Sequence, residues 1–242
     1  MSVLDAFLIE NRSFVNYETE HLICFVGSLA LISYYLYQGR NKWDEDKQRK
    51  YITIICLAGA FTQLFKVGYR LYDGSFNPGE DMPLHLCNMM VLVMPLIMWT
   101  KSKIWWGITF FWIMAGCAQS IFTPTLTESL PHYEAVRYWL VHAVIILGAL
   151  YGLIVYRFDL TFMDALRSAI GLNLLAALIF PVNIWLNANY MYLNGKPPGQ
   201  TFYDLLGPWP DYILVLEFVV IVFFGGILYL VRKLRARPVI VK

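Results

Sequence analysis

Residues 82–88 read Met-Pro-Leu-His-Leu-Cys-Asn and head a stretch that is otherwise apolar to Trp99. His85, Cys87 and Asn88 put an imidazole, a thiol and a carboxamide where hydrocarbon makes polar groups costly. Such groups face a protein interior or a watery cavity, and by default they mark a functional site. The thiol is the nucleophile of the three once it ionises, which requires a base, a nearby cation or a helix N-terminus. The pattern predicts a helix from Pro83, a favoured first position, with Glu80 and Asp81 at its positive end and Cys87 about one turn inside. Two residues apart on such a helix is about 200°, so His85 and Cys87 point to different faces. His85 shares a face with Asn88 and is assigned to binding or orientation. The base for Cys87 is then sought elsewhere, and His142, inside an apolar segment, is the candidate.

The elements that must position these groups are membrane helices. Hydrophobic residues make up 58% of the 242 positions and charged residues only 15%, and segments near 20 residues, long enough to cross a bilayer, recur along the chain. Seven are expected, at about 20–38, 51–71, 82–100, 105–123, 136–156, 167–187 and 211–231, the sixth broken by Pro181. No connector is long enough for a separate soluble domain. The expected fold is all-α, a single polytopic membrane bundle of seven transmembrane helices over residues 1–242. Val3, Leu4, Phe7 and Leu8 have helical spacing, which predicts a short surface-lying helix over 3–10, and the N-terminus lacks the basic start and cleavage site of a signal peptide.

Fourteen of the 19 basic residues fall in the loops after spans one, three and five and in the tail: Arg40, Lys42, Lys47, Arg49, Lys50, Lys101, Lys103, Arg157, Arg167, Arg232, Lys233, Arg235, Arg237 and Lys242. The positive-inside rule then sets the N-terminus outside and the C-terminus in the cytoplasm, with Trp99, Trp105 and Trp106 as an inner aromatic belt. The formal charge of +2 follows from those loops, and no basic surface suggests nucleic acid. The four cysteines do not make a disulfide framework. Cys24 and Cys56 differ too much in depth to bond and read as small core residues.

Depth is the informative coordinate. Gln63, Lys66 and Arg70 align on one face of span two at spacings of three and four. At the same depth lie His85, Cys87 and Asn88 on span three, Cys117, Gln119 and Thr123 on span four, Arg137, Tyr138 and His142 on span five, Asn183 and Asn187 on span six, and Asp211 and Glu217 on span seven. Lys66 is expected to pair with Glu217, and Lys66 and Arg70 to hold a phosphate or carboxylate head group. Gln119 and Asn183, taken singly, also suit interhelical hydrogen bonding. His132, beside Pro131, reads as solvated, and His21 as an edge residue without function.

The Pro-Leu-His-Leu-Cys element opening the third span, with Trp-Leu-Val-His two spans later, resembles the YwaF-like family of bacterial integral membrane proteins. That family is grouped with a eukaryotic transmembrane acyltransferase that remodels ether phospholipids. More distantly it is related to the androgen-induced hydrolases of fatty-acid esters of hydroxy fatty acids. The resemblance implies a multi-pass protein of a cell membrane, the bacterial inner membrane, in which Cys87 matches the acyl-accepting cysteine and His142 its partner.

The reaction so expected is acyl transfer or ester hydrolysis on a membrane lipid, a phospholipid or fatty-acid ester, in the outer half of the membrane. His142 takes the thiol proton, Cys87 forms a thioester, Asn88 or Gln119 stabilises the oxyanion, and Lys66, Arg70, Glu217 and Asn183 bind the head group. No cofactor is expected. The competing reading is a transporter or channel whose outer cavity binds a small solute or ion, since ionisable residues also mark transport paths. A metal or haem reading through Cys87, His85 and His142 lacks compact zinc spacing. A retinal protein is disfavoured because span seven has no lysine between Asp211 and Arg232.

Overall fold

A computed structural model describes residues 7–8, 13–198 and 202–235 of the chain. Among these residues run seven α-helices of ten residues or more: α1 (Thr19–Asn41), α2 (Glu45–Tyr72), α3 (Leu86–Thr100), α4 (Lys103–Trp112), α5 (Tyr133–Ile154), α6 (Phe162–Leu186) and α7 (Asp211–Arg235). All but α3 are long and apolar enough to cross a membrane once α4 is followed through Ile121, so the protein is a multi-pass helical membrane protein. The predicted surface helix over 3–10 falls outside the described residues except for Phe7 and Leu8. These are helical, and Phe7 rests against Phe65 and Tyr133.

The core is built on α5. It is buried on nearly every face, from Tyr133 to Gly152, because α1, α2 and α3 all pack on it. The α4–α6 pair and α7 lean on the other side, and they leave Leu174, Leu178, Trp185, Leu214, Phe218 and Ile221 exposed. Apolar surface of that extent is stable against lipid tails, not water. Trp99 and Trp105 are exposed at the end where the basic loops gather. Trp106 departs from the expected aromatic belt: it is fully buried and donates its Nε1–H to the Ala149 carbonyl at 3.0 Å.

Close approach at that point demands glycine. A Cβ on Gly152 would fall on the Trp106 indole, whose ring is held by its own hydrogen bond and cannot swing aside. Gly152→Ala is therefore expected to lower stability by about 1–3 kcal/mol, the usual penalty of overpacking, read as a lower unfolding midpoint in detergent.

Two helices differ from their sequence pattern. Pro181 does not break α6: the helix runs on to Leu186 and ends where Asn187 turns left-handed at φ 51°. Proline removes only the N–H that would have bonded to Ala177, a loss a helix tolerates when its neighbours hold it. α4 ends its regular course early instead, widening into a π-turn at Ile113–Cys117 and tightening to a 3-10 turn at Ala118–Ile121. At the basic end Asp164 is buried, caps α6 through Thr161, and receives Lys103 Nζ at 2.5 Å, tying the start of α6 to the start of α4.

Candidate functional site

The site lies at the end of the bundle opposite these basic loops. α3 begins at Leu86, not Pro83, with His85 as its N-cap in an extended conformation, φ −68° and ψ 144°. The preceding loop is held elsewhere: the Tyr190 hydroxyl accepts from Met82 N at 3.1 Å and donates to the Pro78 carbonyl at 2.7 Å. Cys87 is thus the second residue of the helix rather than one turn inside, and the 200° argument separating it from His85 does not apply. No side chain caps α3, and its first i→i−4 bond runs from Met89 N to the His85 carbonyl. The N–H groups of Leu86, Cys87 and Asn88 therefore have no acceptor within the helix, which makes this turn electropositive.

The Cys87 thiol lies beside the His142 ring and the Cys117 thiol. His142 is 5% exposed, and its Nδ1 sits 2.8 Å from the Tyr138 carbonyl. A carbonyl only accepts, so Nδ1 carries the hydrogen and Nε2 is left as the acceptor. The sequence pairing of Cys87 with His142 is thus brought together in space. Cys117 arrives because the π-turn of α4 rolls it inward, with Gly116 packed against Leu86: a Cβ there would meet the Leu86 side chain at 3.4 Å.

His85 is held by aromatic rings, with Tyr190 and Tyr192 each 5.2 Å from it between centroids, and its Nδ1 accepts from Met191 N at 3.4 Å. Tyr203 stacks edge-on to Tyr192 and Tyr212 and lies close enough to Cys87 and Cys117 to interact with both. Burial among those rings pushes the Tyr203 phenol up, so it stays protonated. These tyrosines come from the stretch between α6 and α7, whose aromatic richness is the one sequence signal that could have found them.

Beyond Cys87 the polar groups form one charged cluster. Lys66 Nζ is 3.2 Å from Asp81 and 3.5 Å from Glu134. Arg70 lies 4.0 Å and 3.7 Å from the same two carboxylates. Arg137 binds Glu134 at 2.8 Å, the Gln63 carbonyl oxygen at 2.8 Å and Asn88 Oδ1 at 3.4 Å. Lys66 therefore pairs with Asp81 and Glu134 and not with Glu217. Glu217 accepts from Asn173 at 3.2 Å on the α6–α7 side. Arg137 was expected at this depth but without a role, and Glu134 was not expected at all; their spacing of three on the first turns of α5 was the available sign.

Two further expected site residues stand apart. Gln119 is exposed on the 3-10 turn. Asn183 is fully buried, but its carboxamide is engaged by Tyr190 N and the Tyr190 carbonyl, both at 2.9 Å, so it pins the loop that carries Tyr190 and Tyr192. His132 is also buried, not solvated, and its ring accepts from Glu134 N at 3.3 Å at the start of α5. His21 bonds Tyr17 N and faces the Ile121 carbonyl at 3.0 Å. Among the described residues no group of three or more His, Cys, Asp or Glu is arranged to hold a metal ion.

A model of the TMEM164 family matches residues 16–228, a range that takes in every group named in the site. No curated protein and no solved structure matches the chain.

Proposed function

The chain belongs to the TMEM164 family, and from that premise and the Cys87–His142 geometry we propose that it transfers or hydrolyses acyl groups of membrane lipids through a thioester on Cys87. The observation that carries the reading is a buried histidine whose tautomer is set by the Tyr138 carbonyl, beside a thiol at a helix start. That is the arrangement of an activated nucleophile.

The steps balance without any added group. Nε2 of His142 takes the Cys87 proton, and the thiolate attacks the ester carbonyl carbon. The C–S bond forms as the C–O bond breaks, and the departing alkoxide takes the proton back from His142. A hydroxyl, of a lysolipid or of water, then gives its proton to His142 and attacks the thioester, releasing the thiolate, which takes that proton back from His142. Negative charge on the carbonyl oxygen is met by the free N–H groups of the first turn of α3. Within the cluster Lys66, Arg70 and Arg137 outnumber Asp81 and Glu134, which favours a head group with an anionic oxygen. The basic residues gathered at the opposite end support an orientation that turns the site to the outer leaflet.

The test is acylation of the purified protein by an activated long-chain ester. Wild type is expected to carry a hydroxylamine-sensitive acyl group on Cys87, and Cys87→Ala none, with both forms unfolding at the same temperature. Acylation and lipid turnover that persist in Cys87→Ala would overturn the proposal.

A further inference from the structure

We propose that Gln63 is a catalytic oxyanion donor of this site, its carboxamide NH2 donating to the carbonyl oxygen of the acyl group as Cys87 attacks; the inference rests on the acyl-transfer reading. Gln63 is fully buried in α2. Its Oε1 accepts from the Arg137 guanidinium at 2.8 Å, and a guanidinium can only donate, so the amide cannot be turned the other way. The Nε2 group is thereby aimed away from Arg137. It is inaccessible to solvent and has no hydrogen-bond partner among the described residues.

Buried amide donors are nearly always satisfied, and an orphan calls for an acceptor that the resting protein does not supply. The acceptor fits the reaction. One turn before Gln63, a Cβ on Gly59 would lie 3.0 Å from Val91 and 3.1 Å from Val144, which registers α2 against α3 and α5. α2 and α3 run in opposite directions, so the next turn of α2 brings Gln63 level with Cys87, one turn back along α3. Arg137 closes the connection, since it bonds both Gln63 and Asn88, the neighbour of Cys87.

Gln63 thus lies level with the nucleophile's turn on the adjacent helix, and with the free N–H groups of that turn it frames the reacting carbonyl from two sides. Its donor is pre-oriented, and the charge behind it polarises the amide toward donation. Gln119, the other carboxamide expected to fill this role, is exposed.

Two electrophiles separate this role from a structural one. A long-chain p-nitrophenyl ester acylates Cys87 through an oxyanion; iodoacetamide alkylates it by displacement, with no oxyanion. Gln63→Leu is expected to slow acylation by about a hundred- to a thousand-fold, the loss typical of one oxyanion donor, while alkylation proceeds at the wild-type rate. Gln63→Glu keeps an acceptor for Arg137 but presents no donor, and should lose acylation in the same way; it serves if Gln63→Leu fails to fold. Equal acylation by wild type and Gln63→Glu, or a parallel fall in both reactions, would overturn the role of Gln63. Failure of the acyl-transfer reading would show earlier, as a wild-type protein alkylated at Cys87 but not acylated there.

Discussion

Replacing His142 by alanine is expected to slow acylation of Cys87 by about a hundred- to ten-thousand-fold, the range contributed by a positioned general base. The size follows from how little else near the thiol can accept a proton. Tyr203 is a protonated phenol, Cys117 is a second thiol, and His85 is engaged by Met191 N and two tyrosine rings. The Tyr138 carbonyl fixes the tautomer of His142 from the previous turn of the same helix, so the base is aligned before substrate arrives. Both halves of the reaction use the same nitrogen, and release of the acyl group from Cys87 should slow along with its capture. Stopped-flow acylation by an activated ester, followed by decay of the acyl-protein, reads the two steps separately. A His142→Ala protein that acylates at the wild-type rate would remove the histidine from the mechanism.

The parts of this site that were legible in the sequence are those set by local chemistry. A thiol and a carboxamide at the head of an apolar segment, a histidine within another, and a carboxamide and two cations spaced three and four apart on a third report burial and facing directly, because hydrocarbon penalises each of them unless it has a partner. The seven helices were legible for the same reason. Three things were not. The start of α3 follows tertiary contacts of the preceding loop with Tyr190, more than 100 residues downstream, and these override the preference of proline for a first helical position. The roll of Cys117 toward Cys87 depends on a π-turn, which no spacing announces. The partner of Lys66 was misread because depth alone cannot distinguish the neighbours of a helix: Glu217 lies at a plausible depth, but α7 packs on α6, while Asp81 and Glu134 arrive from a loop and from the start of α5.

That cluster carries the second large effect, on stability. Glu134→Ala is expected to destabilise the protein by about 3–5 kcal/mol, the loss seen when one member of a buried ion-pair network is removed and its partners stay charged. Glu134 touches Lys66, Arg70 and Arg137 at once, and its side chain and those of Lys66 and Arg137 are only 12–14% exposed. Without it Lys66 and Arg70 share the single carboxylate of Asp81, and Arg137 keeps only the amide oxygens of Gln63 and Asn88. Arg70, a third exposed, can turn outward to solvent or lipid head groups, but Lys66 and Arg137 cannot without giving up buried contacts. A second substitution separates lost attraction from stranded charge. Lys66→Met removes a cation while keeping most of the side-chain volume, so Glu134→Ala combined with Lys66→Met should unfold at a higher temperature than Glu134→Ala alone. Thermal unfolding of the four proteins in the same lipid nanodiscs measures this directly. If Glu134→Ala unfolds at the wild-type temperature, water reaches the cluster and screens it, and the dry, cation-rich head-group site inferred from these contacts fails with it.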